Sequence, residues 1–179
     1  MKRLLAFARL IDAVTDRFAA VAKWAILAAC AISTLNAVVR YSLDISSNAF
    51  LEIQWYLFAV CVMFGAAQVL RVNEHVRVDI FYGMYPTRTK VLMDLGGLLL
   101  FLLPMTLYIA WSSIPVLVRM FVSQEMSSNA GGLIRWPAML CIPLGMSLVA
   151  LQGVSEIIKR VGWLVHVHDM DTHYERPLQ

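Results

Sequence analysis

The chain has 179 residues, of which 60% are hydrophobic and 15% are charged, and its formal net charge is +3. Soluble domains are typically about half apolar and about one quarter charged, so this composition indicates an integral membrane protein. The small, scattered positive charge argues against nucleic-acid binding. The charged residues occur in groups, and the apolar runs between them approach the roughly 20 residues that a bilayer-spanning helix needs.

The N-terminal segment, residues 1–17, precedes the first apolar run and is predicted to form a helix on the cytoplasmic membrane surface. Apolar residues such as Ile11 and Phe18 recur at helical spacing, and charged residues fill much of the other face. The first span is predicted over residues 18–39. Lys23 lies near one end of it, where its ammonium group can reach the headgroups.

Three further apolar runs predict the remaining spans, and residues 18–160 then form one all-α domain with four transmembrane helices. These spans are predicted over residues 53–70, 91–118 and 136–158. Pro104 and Pro115 lie within the third span and are expected to kink it or to end it early. Residues 161–179 are interpreted as a polar cytoplasmic tail that frays, with a weak metal-binding tail of His and Asp residues as the alternative.

The distribution of basic residues predicts the orientation in the membrane. An even number of spans places both termini and the loop at residues 71–90 on one side. That side carries twelve of the fifteen Lys and Arg residues, and the other side carries Arg40, Arg119 and Arg135. Because Lys and Arg accumulate on the cytoplasmic side, both termini are predicted to be cytoplasmic.

Ionisable side chains are missing from the middle of all four predicted spans. Asp94 and Glu156 lie near the predicted cytoplasmic ends, and Glu52 lies at the outer entry of the second span. A charge at mid-bilayer is costly and normally functional, so its absence argues against a catalytic, metal or substrate-binding site there. No histidine lies within a span to bind haem, and no Walker sequence is present. We therefore predict that the chain is not an enzyme and uses no cofactor.

Glu52 stands close to Trp55 and Tyr56 at the start of the second span. A carboxylate in this position could carry protons or bind a cation. The structural interpretation is favoured, in which Glu52 caps the second helix or pairs with an arginine of the same surface. The candidate arginines are Arg40, Arg119 and Arg135.

Small and amide side chains within the spans predict contacts between helices. Small residues at 65–67 and the pair Gly96 and Gly97 would allow helices to approach closely. Gln152 of the fourth span is suited to a hydrogen bond between helices.

The segment "RVNEHVRVDIF", which begins at Arg71, concentrates charge between the second and third spans. Its candidate residues are Arg71, Glu74, His75, Arg77 and Asp79. Such a group predicts a metal site, an acid–base pair or a structural latch, and the interleaved arginines disfavour a metal. In the latch, Arg77 pairs with Glu74 or Asp79, or Arg71 pairs with Asp94.

The stretch "EIQWYLFAVCVMFGAAQVLRVNEHVRVDIF", residues 52–81, resembles the signature region of the small permease subunit of tripartite ATP-independent periplasmic (TRAP) transporters. In that family a Glu precedes a W-Y-L-F start of the second span, and an E-H-x-R-V-D segment follows the span. The stretch "GGLIRWPAMLCIPLGMSLVALQGVSEIIKRV" resembles the family's outer G-L-P-x-W segment and fourth span. Ile134 replaces the common proline. The residues that carry that match are Gly132, Leu133, Trp136, Pro143, Gly145, Gln152 and Glu156.

The resemblance implies a non-catalytic subunit that scaffolds a larger transporter in the bacterial inner membrane. Its implied partners are a large multi-span TRAP permease subunit, which carries the sodium and substrate sites, and a periplasmic substrate-binding protein that meets the outer loops. The implied substrates are organic acids such as C4-dicarboxylates or sialic acids. The candidate structural and partner-interface residues are Glu52, Trp55, Tyr56, Arg71, Glu74, His75, Arg77, Asp79, Asp94, Trp136, Gln152 and Glu156.

Two other functions are compatible with a small protein of four spans. A self-sufficient small transporter would need a carboxylate in the middle of a span, and this sequence has none there. A membrane anchor subunit of a redox complex is the second alternative, and the absence of histidines from the spans argues against a haem-binding version.

Overall fold

The computed structural model describes residues 1–44, 47–73 and 85–167. These residues form four helices, which are α1 (Lys2–Leu43), α2 (Asn48–Arg71), α3 (Thr87–Ser123) and α4 (Trp136–Leu164). Each helix is long and apolar enough to cross a membrane. The described residues contain no β-strand and only an isolated bridge between Met126 and Ile134. The predicted all-α membrane fold with four spans is therefore confirmed.

Local sequence signals mark the ends of the helices. Asp44 follows α1 and Gln124 follows α3, and both adopt the left-handed conformation that commonly ends a helix. The N–H group of Gln124 donates to the Met120 carbonyl of the last turn of α3. α4 begins at Trp136 with Pro137 in its first turn, where a missing N–H group has little cost.

The first helix includes residues 2–17, most of the segment predicted to form a helix on the cytoplasmic membrane surface. α1 is continuous from Lys2 to Leu43 and is about 63 Å long at 1.5 Å per residue. Residues 2–43 contain neither Gly nor Pro, and the buried face that starts at Ala8 and Thr15 continues along the span. Residues 2–17 are therefore helical and continuous with the first span, and one side of them packs in the bundle. Their placement on the cytoplasmic membrane surface stays a prediction.

α3 contains a π-helical turn at Leu98–Leu102, directly before Pro104. A proline inside a helix leaves a carbonyl group without its usual N–H partner. The π-helical turn shifts the hydrogen-bond register by one residue, as the bond from the Leu103 N–H to the Leu98 carbonyl shows. The prolines do not end the helix, which continues through Pro115, and the expected irregularity takes the form of this π-helical turn.

α4 is the central helix of the bundle. It packs against α1, α2 and α3, and 44% of its most apolar segment is buried, compared with 11% for α2 and α3. α1 also packs along α2. The core comprises Ala67, Leu70, Leu98, Leu148 and Val149. α4 therefore positions the other helices, and its polar residues can reach partners on more than one of them.

Small residues mark two close contacts between helices. A Cβ atom added to Gly65 would lie 4.0 Å from the Ala22 Cβ of α1, as the sequence predicts for this patch. A Cβ atom added to Gly145 would lie only 2.6 Å from the Met63 Cβ, so α2 and α4 are in very close contact there. Gly96 and its neighbour Gly97 have no atom within 4 Å of an added Cβ atom, so that pair makes no such contact among the described residues.

Candidate functional site

Polar side chains are concentrated in two clusters, one at each end of the bundle. The first, which we call the Glu52 cradle, comprises Glu52, Ser127, Asn129 and the backbone of Leu133. The second, which we call the Arg160 cluster, comprises Asp12, Thr15, Asp94, Gln152, Ser155, Glu156, Lys159 and Arg160. The described residues outside these clusters are mainly apolar along the spans.

Glu52 lies near the start of α2 and is only 3% exposed. Its Oε1 atom accepts hydrogen bonds from the Ser127 hydroxyl and, at 2.8 Å, from the Asn129 Nδ2 atom. Its Oε2 atom accepts a hydrogen bond of 2.6 Å from the Leu133 N–H group. All three donors belong to the connection between α3 and α4. One carboxylate therefore holds this connection against the start of α2.

Two further contacts fit the connection closely to α2. A Cβ atom added to Gly132 would lie 2.6 Å from the Ser127 Cβ and 2.8 Å from the Glu52 Oε1 atom, so only glycine fits without rearrangement. The Tyr56 hydroxyl donates a hydrogen bond of 2.6 Å to the Ile134 carbonyl. Gly132 and the hydrogen bond from Tyr56 therefore allow the connection to pack closely against α2.

The structure corrects the predicted partners of Glu52. Arg135 pairs with Glu125 at 2.7 Å, and the start of α2 has no side-chain cap hydrogen bond. No ion pair joins Glu52 to Arg40 or Arg119 in the part of the chain that is described. The reason is local, because the hydroxyl, amide and backbone donors of the α3–α4 connection already surround the carboxylate.

Substitution of Glu52 by glutamine is expected to loosen the connection between α3 and α4. One carboxylate oxygen becomes an NH₂ group, which faces hydrogen-bond donors and cannot accept from them. We expect backbone amide exchange of residues 125–135 to become about tenfold faster, since local opening becomes easier. Hydrogen–deuterium exchange with mass spectrometry measures this effect.

Glu125→Gln is the matched control, because it removes a carboxylate from the same connection. The Glu125–Arg135 pair is largely exposed, and exposed pairs contribute little. Its exchange rates should stay close to those of the wild type. Equal acceleration in both variants would contradict the specific role of Glu52.

Aromatic residues surround the Glu52 cradle. A groove of about 570 Å³ opens beside it, and Trp55, Tyr56 and Arg135 contribute to its wall. The Trp55 side chain is 68% exposed. Trp136 packs edge-on against Phe121 with ring centroids 5.3 Å apart, which joins the start of α4 to the end of α3. Trp55 therefore stays a candidate for contact with a partner, whereas Trp136 has an intramolecular packing role.

Arg160 and Lys159 connect α4 to two other helices. The guanidinium group of Arg160, which is 5% exposed, donates to the Glu156 Oε2 atom at 2.6 Å and to the Asp94 Oδ2 atom at 3.2 Å. The Lys159 ammonium group lies 2.8 Å from both the Asp12 Oδ2 atom and the Glu156 Oε1 atom. The two cations thereby join α4 to α3 and to α1.

Gln152 extends the Arg160 cluster with neutral hydrogen bonds and is fully buried. Its Oε1 atom accepts a hydrogen bond of 2.8 Å from Thr15, and its Nε2 atom donates to Asp12 at 3.0 Å and to Glu156 at 3.2 Å. The Ser155 hydroxyl donates to the Asp12 Oδ1 atom at 2.9 Å. The carboxylates of Asp12 and Glu156 thus accept hydrogen bonds from these side chains, and the bonds to Thr15 and Asp12 connect α4 to α1.

The predicted pairing of Arg71 with Asp94 is wrong. Arg71, at the end of α2, pairs with Asp16 of α1 and donates to the Asp12 carbonyl at 3.2 Å. Asp94 is bound by Arg160 instead. The physical reason is the continuous α1 helix, which carries Asp16 next to the end of α2.

The structure brings together three of the predicted site residues, Asp94, Gln152 and Glu156. The predicted latch residues Glu74, His75, Arg77 and Asp79 lie outside the described residues, so the latch stays a prediction. Within the described ranges, no group of three or more His, Cys, Asp or Glu side chains could hold a metal ion.

Sequence reasoning missed the basic half of the Arg160 cluster. Lys159 and Arg160 follow Glu156 at the spacings of three and four residues that bring side chains together on a helix, and this signal was available. Asp12 was assigned to the solvated face of a surface helix, and nothing in the local pattern indicated that α4 would cover it. Ser127 and Asn129 lie in a polar, glycine-containing stretch that indicates a turn without indicating its partner.

The family comparison covers part of α1, all of α2 and α3, and nearly all of α4. The model of the DctQ component of tripartite ATP-independent periplasmic transporters matches residues 29–162. This range extends from the last third of α1 to the last turn of α4 and includes the Glu52 cradle and most of the Arg160 cluster. No curated protein and no solved structure matches the chain. The matched range is well over half of the chain, which therefore belongs to the DctQ family, the small membrane component of TRAP transporters.

Proposed function

We propose that this chain is the non-catalytic scaffold subunit of a sodium-driven, binding-protein-dependent secondary transporter for organic acids in the bacterial inner membrane. Members of the DctQ family are components of tripartite transporters. In this proposal the large multi-span permease subunit carries the substrate and sodium sites and is the permanent partner. The periplasmic substrate-binding protein is a transient partner.

The observation that carries the scaffold role is the cross-linking of the bundle at both ends. The Arg160 cluster joins α1, α3 and α4, and the pair of Arg71 with Asp16 joins α2 to α1. At the opposite end, Glu52 joins α2 to the connection between α3 and α4. A frame with such connections resists relative movement of its helices, which suits the static part of a transporter whose partner moves.

The exposed apolar surface supports a role inside a larger membrane complex. Five side chains along α3 are at least 70% exposed, namely Leu100, Phe101, Tyr108, Trp111 and Val122. In a bilayer, such a surface is covered by lipid or by helices of another subunit. Most of the apolar surface of α3 is therefore accessible to its surroundings, which fits a subunit that widens the frame of a larger complex.

The proposed orientation assigns the Glu52 cradle to the periplasmic side and the Arg160 cluster to the cytoplasmic side. It is supported by the count of basic residues, because the side of Arg40, Arg119 and Arg135 carries only three of the fifteen Lys and Arg residues. The groove next to Trp55 then faces the compartment in which the substrate-binding protein acts.

Reconstitution into liposomes tests this function. The chain alone is expected to give no sodium-driven uptake of organic acid above protein-free liposomes. Addition of the large permease subunit and the substrate-binding protein of the same transporter should restore uptake of the ligand of that binding protein. Uptake by the chain alone would favour the self-sufficient transporter, and failure to co-purify with the permease subunit would contradict the scaffold role.

A further inference from the structure

A groove of about 610 Å³ runs along the first half of α3, at the end of the bundle that carries the Arg160 cluster. We call it the α3 groove. Its walls are formed by Leu70 of α2, by Arg160 of α4 and by residues of α3 between Met93 and Thr106. Phe101 and Met105, which line it, are well exposed. The groove is therefore open on the side that faces the bilayer.

The two ends of the α3 groove differ in polarity. At one end, Asp94 and Arg160 form an ion pair. Toward the other end, the walls are apolar and include Leu102 and Met105. The hydroxyl of Thr106 donates a hydrogen bond of 2.7 Å to the Leu102 carbonyl of its own helix, so it requires no partner from an occupant. The α3 groove thus has one ionic end and an apolar interior, which is the polarity of a lipid molecule.

The length of the α3 groove matches one leaflet of a bilayer. Asp94 and Thr106 are twelve residues apart, which is about 18 Å along a helix. The hydrocarbon core of a bilayer is about 30 Å thick, so one leaflet contributes about 15 Å. Thr106 is next to the midpoint of α3 (Thr87–Ser123). When this midpoint lies at the bilayer centre, the ionic end of the groove lies at the level of the headgroups.

The width of the α3 groove favours an acyl chain over a helix. The volume of the groove divided by its length gives a mean cross-section of about 34 Å². A helix with a diameter of about 10–12 Å has a cross-section of about 80–110 Å². The groove is therefore too narrow to enclose a helix, whereas a flexible hydrocarbon chain fits it. Met93 and Met105 in its walls have side chains that adapt to irregular apolar shapes.

The first turn of α3 carries charge that is complementary to a lipid phosphate. It contains Arg88 and Lys90 and no acidic residue. Lys90 precedes Asp94 by four residues, so both lie on the same side of the helix and Lys90 is at the mouth of the groove. Basic pockets between membrane helices bind phospholipid headgroups. The charge at the mouth and the apolar interior therefore suit the two parts of one phospholipid.

We infer that the α3 groove holds one acyl chain of a phospholipid, with the lipid phosphate near Lys90 and the end of the chain near Thr106. The chain enters from the bilayer through the open side of the groove. The π-helical turn at Leu98–Leu102 forms part of the wall, and such turns are frequent at functional sites. This inference goes beyond the scaffold function and does not depend on it, because all residues of the groove belong to this chain.

Photo-cross-linking of the full chain in nanodiscs tests the position of the lipid. The probe is a phosphatidylethanolamine with a diazirine near the end of one acyl chain, and mass spectrometry of peptides locates the adducts. Tyr108 is the internal reference, because it is exposed and almost as deep as Met105 but does not line the groove. We expect about tenfold more adducts on residues 101–106 than on Tyr108, since a chain with about two more buried methylene groups is preferred by this factor.

Two phenylalanine variants test the affinity by native mass spectrometry in detergent, with dipalmitoyl phosphatidylethanolamine as the titrant. Gly96 and Gly97 both have no atom within 4 Å of an added Cβ atom, but only Gly97 lines the groove. Gly97→Phe places a ring in the groove and should lower the affinity about tenfold, because the acyl chain loses buried methylene groups. Gly96→Phe is the matched control and should bind as the wild type does.

The cross-linking experiment uses the wild type, so it decides the inference even if a variant fails to fold. Adducts distributed evenly between the groove and Tyr108 would overturn the inference. Equal affinities of the wild type and both phenylalanine variants would also overturn it. Unchanged lipid affinity in Gly97→Phe, together with loss of co-purification with the permease subunit, would assign the groove to a helix of that partner and would overturn it as well.

Discussion

Replacement of Arg160 by methionine is expected to lower the free energy of unfolding by about 3–5 kcal/mol. The guanidinium group is buried and forms ion pairs with both Glu156 and Asp94. Methionine fills a similar volume, so the effect comes mainly from charge. Two carboxylates would lose this cation in a poorly solvated site, where Glu156 would keep its contact with Lys159, and the loss of one partner of a buried ion pair is strongly destabilising.

Equilibrium unfolding in mixed micelles of dodecylmaltoside and sodium dodecyl sulfate measures this change. Arg135→Met is the matched control, because it removes the same kind of cation from a pair whose side chains are 53% and 41% exposed. Exposed pairs contribute less than about 1 kcal/mol. Similar losses for the two variants would contradict the importance of burial in the Arg160 cluster.

A double variant separates charge from packing in the same assay. Arg160→Met/Glu156→Gln removes one carboxylate together with the guanidinium group, and its glutamine can still hydrogen bond to neighbours. We expect it to be more stable than Arg160→Met, because replacing both members of a buried pair costs much less than removing one. A double variant less stable than the single variant would indicate that packing of the arginine stem dominates.

The four spans were predictable because the bilayer imposes a simple requirement on the sequence. Backbone polar groups in lipid must be satisfied within the segment, so an apolar run of sufficient length has to be a helix. The fourth span illustrates this, since the predicted start at Trp136 is also the start of α4. The first span illustrates the limit, because residues 2–17 have the pattern of a surface helix and of a bundle helix alike.

The partners of the charged residues were less predictable, because they depend on which helices are neighbours. Arg71 and Asp94 flank the same connection along the chain, and that proximity suggested a pair. In the structure, α1 occupies the position next to the end of α2 and supplies Asp16, while α4 supplies Arg160 to Asp94. The family resemblance identified Glu52 as important, but its donors lie about 80 residues away in sequence, within a loop that carries no recognisable partner signal.

Gly145→Ala and Gly96→Ala are expected to change stability in opposite directions. A Cβ atom at position 145 would lie 2.6 Å from the Met63 Cβ and 2.8 Å from the Met63 carbonyl oxygen. The second contact involves backbone, so α2 and α4 have to move apart, at a cost of about 1–3 kcal/mol. Gly96 is helical and has no atom within 4 Å of an added Cβ atom, so alanine there should stabilise the helix by up to about 1 kcal/mol.

The same unfolding assay compares the two alanine variants, and co-purification with the large permease subunit adds a second measurement. α4 packs against all three other helices, so its displacement from α2 also shifts the surfaces that α1 and α3 present. Gly145→Ala should therefore reduce the yield of the complex as well as the stability of the chain. If Gly145→Ala left the free energy of unfolding unchanged, α2 and α4 could move apart at this contact without loss of stability. A destabilising Gly96→Ala in the isolated chain would contradict the open space beside Gly96 among the described residues.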